Sequence, residues 1–118
     1  MKIYVAGHRG LVGSATVREI EKDSKHVFIG QTRAELDLLD RAAVFAYLAN
    51  EKPDAIIIAA AKVGGIQANN TYPVEFLSQN LQIETNLLDG AHAAGIERVL
   101  FLGSSCVYPK FAQQPIRE

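Results

Sequence analysis

The feature that most constrains the fold is a run of three glycines, Gly7, Gly10 and Gly13, between a short apolar stretch and a helical pattern. Residues 3–6, with the sequence IYVA, predict a buried strand. From position 12 the apolar residues recur at helical spacing. A strand, a glycine turn and a helix in this order are typical of a nucleotide-phosphate site. A glycine turn that holds no ligand is the alternative.

Each glycine of the turn has a distinct expected role. The first permits the tight turn, and the second lets the backbone approach a pyrophosphate group. The third lets the helix pack closely on the sheet, while N–H groups at the start of the helix are available to the anion. The prediction is therefore a phosphate cradle made mainly of backbone atoms.

Composition excludes several other classes of function. The 118 residues suffice for one domain, and a formal charge of −1 gives no electrostatic case for nucleic acid or an anionic membrane. No apolar run approaches the roughly 20 residues that span a bilayer. Because the first strand is predicted to begin almost at once, we expect no signal peptide. One cysteine cannot form an internal disulfide, and three scattered histidines lack metal-ligand spacing. We expect a cytoplasmic protein that binds no metal, membrane or nucleic acid.

Strand and helix patterns alternate along the rest of the chain. Strands are expected at 26–30, 55–60 and 98–102. Asp40 is placed to cap a helix that buries Val44, Phe45 and Leu48 and that ends before Pro53. A long helix is expected to begin near Pro73 and to end at Gly95. Its expected buried stripe consists of Leu77, Leu81, Leu88 and Ala91.

This alternation predicts an α/β fold of the Rossmann-like, three-layer type with a parallel sheet of about four strands in the order 3-2-1-4. A complete dinucleotide fold of this type normally has more strands. We therefore expect residues 1–118 to form the N-terminal part of an NADP-binding domain, with the substrate domain absent.

The residues after the second strand favour NADP over NAD. An NAD site usually carries an acid about twenty residues beyond the glycines, whereas this strand is followed by Gln31, Thr32 and Arg33. Arg33 and Arg9 are suited to bind a 2′-phosphate, although both could be ordinary solvated side chains. Asp37 has two open interpretations, contact with the adenine side or a loop role. Lys62 similarly either reaches the cofactor or is a solvated loop lysine.

The segment LGSSCVYP at 102–109, together with GHRGLVGSA, RAELDLLD and AAAKVGGIQANNTYP, resembles the extended short-chain dehydrogenase/reductases that act on nucleotide sugars. The resemblance covers essentially the whole chain. It implies reduction by NADP(H) at C4 of a GDP-linked keto sugar, epimerisation at C3 and C5, and a homodimer. It places Ser104 at the C4 carbonyl and makes Cys106 an acid/base for epimerisation. Apart from the resemblance, a lone cysteine is more often a small buried side chain.

The resemblance also implies a set of cofactor contacts in four segments of the chain. These segments are the glycine turn, the stretch after the second strand, the end of the third strand and the end of the fourth. The expected contacts are Gly7, His8, Arg9, Gly10, Leu11, Val12, Gly13, Arg33, Leu36, Asp37, Leu38, Ala60, Lys62, Leu102, Gly103, Ser104 and Ser105.

One departure from the family pattern limits what this chain is expected to do. The family's catalytic Tyr-x-x-x-Lys pair is missing, since the four tyrosines are followed four residues later by His8, Glu51, Phe76 and Ala112. We therefore expect 1–118 alone to be inactive. Two alternatives are another nucleotide-sugar epimerase or reductase of the same family, and a non-catalytic NADP-binding module.

Overall fold

A computed structural model of the chain describes residues 1–104, 107–109 and 111–117. The described residues form strands and helices that alternate along most of the sequence. In chain order the elements are β1 (Lys2–Ala6), α1 (Leu11–Ile20), β2 (Val27–Ile29), α2 (Arg41–Glu51), β3 (Ala55–Ile58), α3 (Ile66–Thr71), α4 (Pro73–Ala93) and β4 (Val99–Phe101).

All strand pairings in this sheet are parallel, which confirms the predicted α/β class. Tyr4 of β1 is in register with Ile29 of β2 on one side and with Ile56 of β3 on the other. Beyond β3, Ile57 is in register with Leu100 of β4. The carboxyl ends of all four strands therefore meet at one edge of the sheet.

The predicted strand order 3-2-1-4 is wrong. The observed order is β2-β1-β3-β4, so the third strand pairs with β1 and not beyond β2. After α2 the chain crosses back over β1, so that Ile56 and Ile58 of the apolar β3 enter the main core beside Tyr4 and Ala6. The shorter β2, partly exposed, stays at the edge of the sheet. The direction of strand addition thus reverses between β1 and β3. In open α/β sheets, ligands bind at such a switch point.

Alternate residues of the central strands face two different helical layers. Tyr4 and Ile56 pack with Leu48 of α2 and Leu87 of α4 in the larger core. Their neighbours in sequence face the other way, where Ile3 and Val5 pack with Ile20 of α1. This alternation gives the predicted three layers, with α2 and α4 on one face of the sheet and α1 on the other.

Local signals at the helix ends act as the sequence predicts. The Asp40 side chain accepts a hydrogen bond from the Ala43 N–H at 3.0 Å and caps α2. Helix α2 ends at Glu51, and Pro53 follows two residues later. Pro73 is the first residue of α4. Helix α3 is the one described helix that the sequence patterns did not predict.

The predicted buried stripe of α4 is largely wrong. Leu77, Leu81 and Leu88 are 64%, 50% and 39% exposed, whereas Ala91 is buried as expected. A second stripe, centred on Phe76 and Leu87 at equally regular helical spacing, faces the sheet instead. Periodicity identifies both stripes and cannot choose between them. No helix in the described ranges, α4 included, is long and apolar enough to cross a membrane.

Candidate nucleotide-binding site

A cleft of about 660 Å³ opens at the carboxyl ends of β1 and β3, where the direction of strand addition reverses. Most of its lining comes from three segments, namely the glycine turn after β1, the stretch after β2 and the stretch after β3, and α4 contributes Gln79 and Ile83. The cleft is lined by Gly7, Gly10, Leu11, Val12, Gln31, Arg33, Leu36, Asp37, Leu38, Leu39, Ala59, Ala60, Ala61, Lys62, Val63, Gln79 and Ile83.

The glycine turn is held tightly between the sheet and α1. Gly7 has a left-handed backbone with φ of 82°, and a Cβ built on it would lie 2.7 Å from the Ala60 nitrogen. The Gly10 N–H closes the turn by donating to the Gly7 carbonyl oxygen at 2.9 Å. A Cβ on Gly13 would overlap that same oxygen and would lie 2.9 Å from the His8 Cα. Any side chain at Gly7 or Gly13 would therefore displace the turn.

The turn leads directly into the N-terminus of α1. Gly10 is the N-cap, and among the described residues no side chain caps this helix end. The first turn of α1 also lacks an acidic residue. The first N–H groups of a helix have no partner within the helix and carry partial positive charge. This end of α1 can therefore receive an anion from the cleft.

The stretch after β2 folds back on itself through Thr32 and Glu35. The Glu35 Oε2 atom accepts from the Thr32 N–H at 2.8 Å and from its hydroxyl at 2.7 Å. These two bonds hold the pKa of Glu35 below its ordinary value, with smaller contributions from His8 and Arg9. This back-folded turn contains Arg33, which lines the cleft. The Thr-x-x-Glu spacing is a capping-box pattern, and this signal in the sequence is sufficient to predict the turn.

Helix α4 fixes the stretch after β3. The Asn80 Oδ1 atom accepts from the Lys62 N–H at 2.6 Å, and the Asn80 Nδ2 donates to the Lys62 carbonyl at 3.0 Å. The Lys62 ammonium lies over the Phe76 ring, 5.2 Å from its centroid. Lys62 thus lines the cleft, and Asn80 holds both its backbone N–H and its backbone carbonyl. No pattern in the sequence singled out Asn80.

A second asparagine of α4 fixes the opposite wall. Asn86, 5% exposed, donates from Nδ2 to the carbonyls of Leu38 and Leu39 at 2.9 and 3.3 Å. In the same loop, the Asp37 Oδ1 accepts from the Leu39 N–H at 3.1 Å. Asp37 therefore stabilises its own loop, which is one of the two roles considered for it. It also lines the cleft, so contact with the adenine side of the cofactor stays a prediction.

Most of the predicted cofactor contacts converge on the cleft, but some lie outside its lining. Those that line it are Gly7, Gly10, Leu11, Val12, Arg33, Leu36, Asp37, Leu38, Ala60 and Lys62. Those that do not are His8, Arg9, Gly13, Leu102, Gly103 and Ser104. Gly13 is buried under the turn, and Arg9 is exposed. His8 packs against Phe28, with ring centroids 5.5 Å apart.

The predicted catalytic segment follows β4 at the same edge of the sheet. The Leu102 N–H donates to the Ile58 carbonyl at 3.3 Å, so the pairing with β3 extends one residue past β4. Ser104 is exposed, and its carbonyl accepts from the Val107 N–H at 3.2 Å. Ser105 and Cys106 lie outside the described residues. The site thus combines backbone donors and cations that suit phosphate groups with a serine at the end of β4.

The chain matches a known family and several curated proteins along nearly its whole length. Residues 3–118 match the NAD dependent epimerase/dehydratase family. The chain is 56% identical over 117 residues to GDP-L-fucose synthase 1 of Arabidopsis thaliana, covering 99% of this chain and 36% of that protein. It is 50% identical over 117 residues to GDP-L-fucose synthase of Escherichia coli K12, with the same coverage of both.

The chain also resembles a solved structure in its fold. The chain superposes with a TM-score of 0.92 on a GDP-mannoheptose C4 reductase from Campylobacter jejuni with NADP bound. The two are 33% identical, and the match covers 98% of this chain and 34% of the reductase. The chain spans about a third of the length of the curated relatives it matches.

Proposed function

The chain belongs to the NAD dependent epimerase/dehydratase family, and on that premise we propose that it is the N-terminal third of a GDP-L-fucose synthase. The full-length protein would convert GDP-4-keto-6-deoxy-D-mannose to GDP-L-fucose by epimerisation at C3 and C5 and reduction at C4, with NADPH. The observation that carries this proposal is identity of 56% to a GDP-L-fucose synthase over 99% of the chain.

The cleft fits a dinucleotide. A Cβ on Gly7 or Gly13 would collide with neighbouring backbone, so the turn keeps its shape only with glycine there. The uncapped end of α1 supplies N–H groups for a pyrophosphate. Arg33 and Lys62 line the cleft on opposite sides of the turn and would hold further anionic or polar groups of the cofactor.

NADP is the proposed cofactor in preference to NAD. Arg33 lies where an acid would otherwise bind the 2′-hydroxyl of the adenine ribose. Glu35, the acid closest in sequence, has its carboxylate engaged by Thr32. Arg9 and Arg33 are therefore proposed to bind the 2′-phosphate, which each can contact through two N–H groups.

Two residues after β4 are proposed to act on the sugar. Ser104 would donate a hydrogen bond to the C4 carbonyl oxygen, and that ketone acidifies the C–H bonds at C3 and C5. Cys106 would exchange a proton at those carbons, one acid/base of the pair needed to invert each centre. NADPH, when bound, supplies the hydride for reduction at C4. The 118 residues alone lack the Tyr-x-x-x-Lys pair and are proposed to be inactive.

A homodimer of the full-length protein is also proposed. The exposed stripe of α4, defined by Leu77, Leu81 and Leu88, supports it, because apolar side chains repeated along one helix face suit a helix–helix interface. Replacement of Leu81 by Glu should shift the full-length protein from dimer to monomer in sedimentation velocity. An unchanged dimer would exclude this face.

Product analysis tests the proposed activity. The full-length protein would be incubated with NADPH and GDP-4-keto-6-deoxy-D-mannose, and the sugar nucleotide would be identified by NMR. The proposal predicts GDP-L-fucose. Reduction at C4 without inversion at C3 and C5 would favour a neighbouring reductase of the family. Cofactor binding without turnover would favour a non-catalytic NADP-binding protein.

A further inference from the structure

We propose that Asn80 is a positioning residue that holds the wall of the cleft after β3 in the geometry needed by the half of the cofactor beyond the pyrophosphate. This inference rests on the proposed function. It concerns a side chain that does not itself line the cleft. Its evidence is a pair of hydrogen bonds from Asn80 to the backbone of Lys62. On the opposite side of the same wall, Gly7 lies close to the backbone of Ala60.

The chain leaves the sheet immediately before this wall. Ile58 is the last residue of β3, and the Ala59 N–H still donates to the Ala6 carbonyl at 2.9 Å. Three residues later, at Lys62, the Asn80 side-chain amide bonds the backbone as a neighbouring strand would. It accepts from the Lys62 N–H at 2.6 Å and donates to the Lys62 carbonyl at 3.0 Å. Both polar backbone groups of Lys62 are therefore fixed by one side chain of α4.

The same wall is limited from the other side by the glycine turn. The Gly7 position is so close that a Cβ there would lie 2.7 Å from the Ala60 nitrogen and 2.8 Å from the Ala59 carbonyl oxygen. The segment consequently cannot move toward the turn, and Asn80 prevents it from moving away. The width of the cleft at this point is set between Gly7 and Asn80.

The order of the walls indicates which half of the cofactor depends on Asn80. Arg33 follows β2, the glycine turn follows β1, and Ala60 and Lys62 follow β3, so the three lie in that order along the sheet edge. With the adenine ribose at Arg33 and the pyrophosphate at the turn, the remaining half of the cofactor faces Ala60 and Lys62. Loss of Asn80 should disturb that half and leave the adenine half intact.

The chain offers a matched control for this substitution. Asn69 donates from Nδ2 to the carbonyls of Gly64 and Gly65 at 3.0 and 3.2 Å, so it anchors the same loop a few residues later. None of these three residues lines the cleft. Asn69→Ala therefore removes a comparable amide-to-backbone contact outside the proposed site.

Two probes measured on the full-length protein separate the halves of the cofactor. NADPH reports on the whole cleft, and adenosine 2′,5′-bisphosphate reports on the adenine half. Asn80→Ala should weaken NADPH binding roughly tenfold, as expected for two lost hydrogen bonds. Binding of adenosine 2′,5′-bisphosphate should stay within about twofold, and Asn69→Ala should change neither probe beyond that range.

An isosteric variant keeps the test valid if Asn80→Ala fails to fold. Asn80→Asp has the same size and keeps an acceptor for the Lys62 N–H, but it sets a second acceptor oxygen against the Lys62 carbonyl. It should show the same selective loss of NADPH affinity. A side chain that only fills space would tolerate this change.

Equal losses for both probes, or none in either Asn80 variant, would overturn the positioning role alone. Failure of the unaltered protein to bind either probe would overturn the proposed cofactor, and the role of Asn80 with it.

Discussion

Gly13 lies against the carbonyl group of Gly7, so that a side chain at position 13 would overlap the Gly7 carbonyl oxygen. The two glycines belong to different elements, since Gly13 is in the first turns of α1 and Gly7 follows β1. Their contact sets the distance between the helix and the end of the strand. The phosphate cradle depends on this distance, because the open end of α1 must face the turn.

Replacement of Gly13 by Ala should therefore destabilise the fold. An added methyl group in a fully packed site forces a backbone shift, which costs about 2 kcal/mol. Urea denaturation would measure the loss in the free energy of unfolding. The control is Gly103→Ala, because, apart from Gly103 itself and its two chain neighbours, no atom of the described residues lies within 4 Å of the added Cβ there. Equal stability of the two variants would contradict the tight contact.

The glycine turn and the cap at Asp40 were predictable because both depend on residues close in sequence. The position of β3 beside β1 was not predictable in this way, because it depends on packing between residues about fifty positions apart in sequence, such as Tyr4 and Ile56. The prediction of the buried side of α4 is wrong because the helix carries two apolar stripes of equal regularity. Leu77 belongs to the exposed stripe and Leu87 to the buried one. Asn80 was missed because its partner, Lys62, is 18 residues away in sequence.

The hydrogen bonds from Thr32 to Glu35 predict that the stability of this turn depends on pH. Because the folded-state pKa of Glu35 is lowered, its stabilising contribution is complete above the ordinary pKa and is lost as the pH falls through the lower value. Thr32→Ala removes the hydroxyl donor and should raise the Glu35 pKa, but only partly, because the backbone N–H still donates. NMR titration of the Glu35 carboxyl carbon measures the change. Thr16→Ala, on α1, should leave the Glu35 pKa unaltered.

Arg33→Ala should alter cofactor preference in the full-length protein. Loss of a charge-assisted contact to the 2′-phosphate costs roughly 1.5–3 kcal/mol, which weakens NADPH binding about ten-fold to a hundred-fold. NADH lacks this phosphate and should bind nearly as before. Titration calorimetry with both cofactors measures the difference, and Arg18→Ala, on the exposed side of α1, serves as the control. Equal losses for NADPH and NADH would refute the assignment of Arg33.

Cys106→Ser should separate epimerisation from cofactor binding. The hydroxyl replaces a thiol whose ordinary pKa is about 8.5 and is a far poorer proton shuttle at neutral pH. In the full-length protein, exchange of the C3 and C5 hydrogens with deuterated solvent should be suppressed, while NADPH binding is retained. Mass spectrometry of the sugar nucleotide measures the exchange. Normal deuterium incorporation per folded molecule would assign Cys106 a packing role only.

The cleft at the carboxyl ends of β1 and β3 is proposed to bind NADP(H), and hydrogen exchange can locate the binding site directly. Exchange of backbone amides in the full-length protein would be followed by mass spectrometry with and without NADPH. Binding in the cleft predicts protection in peptides that span 6–14, 31–39 and 59–63, three segments that line it. Protection confined to 88–99, a groove elsewhere on the surface, with those walls unchanged, would contradict it.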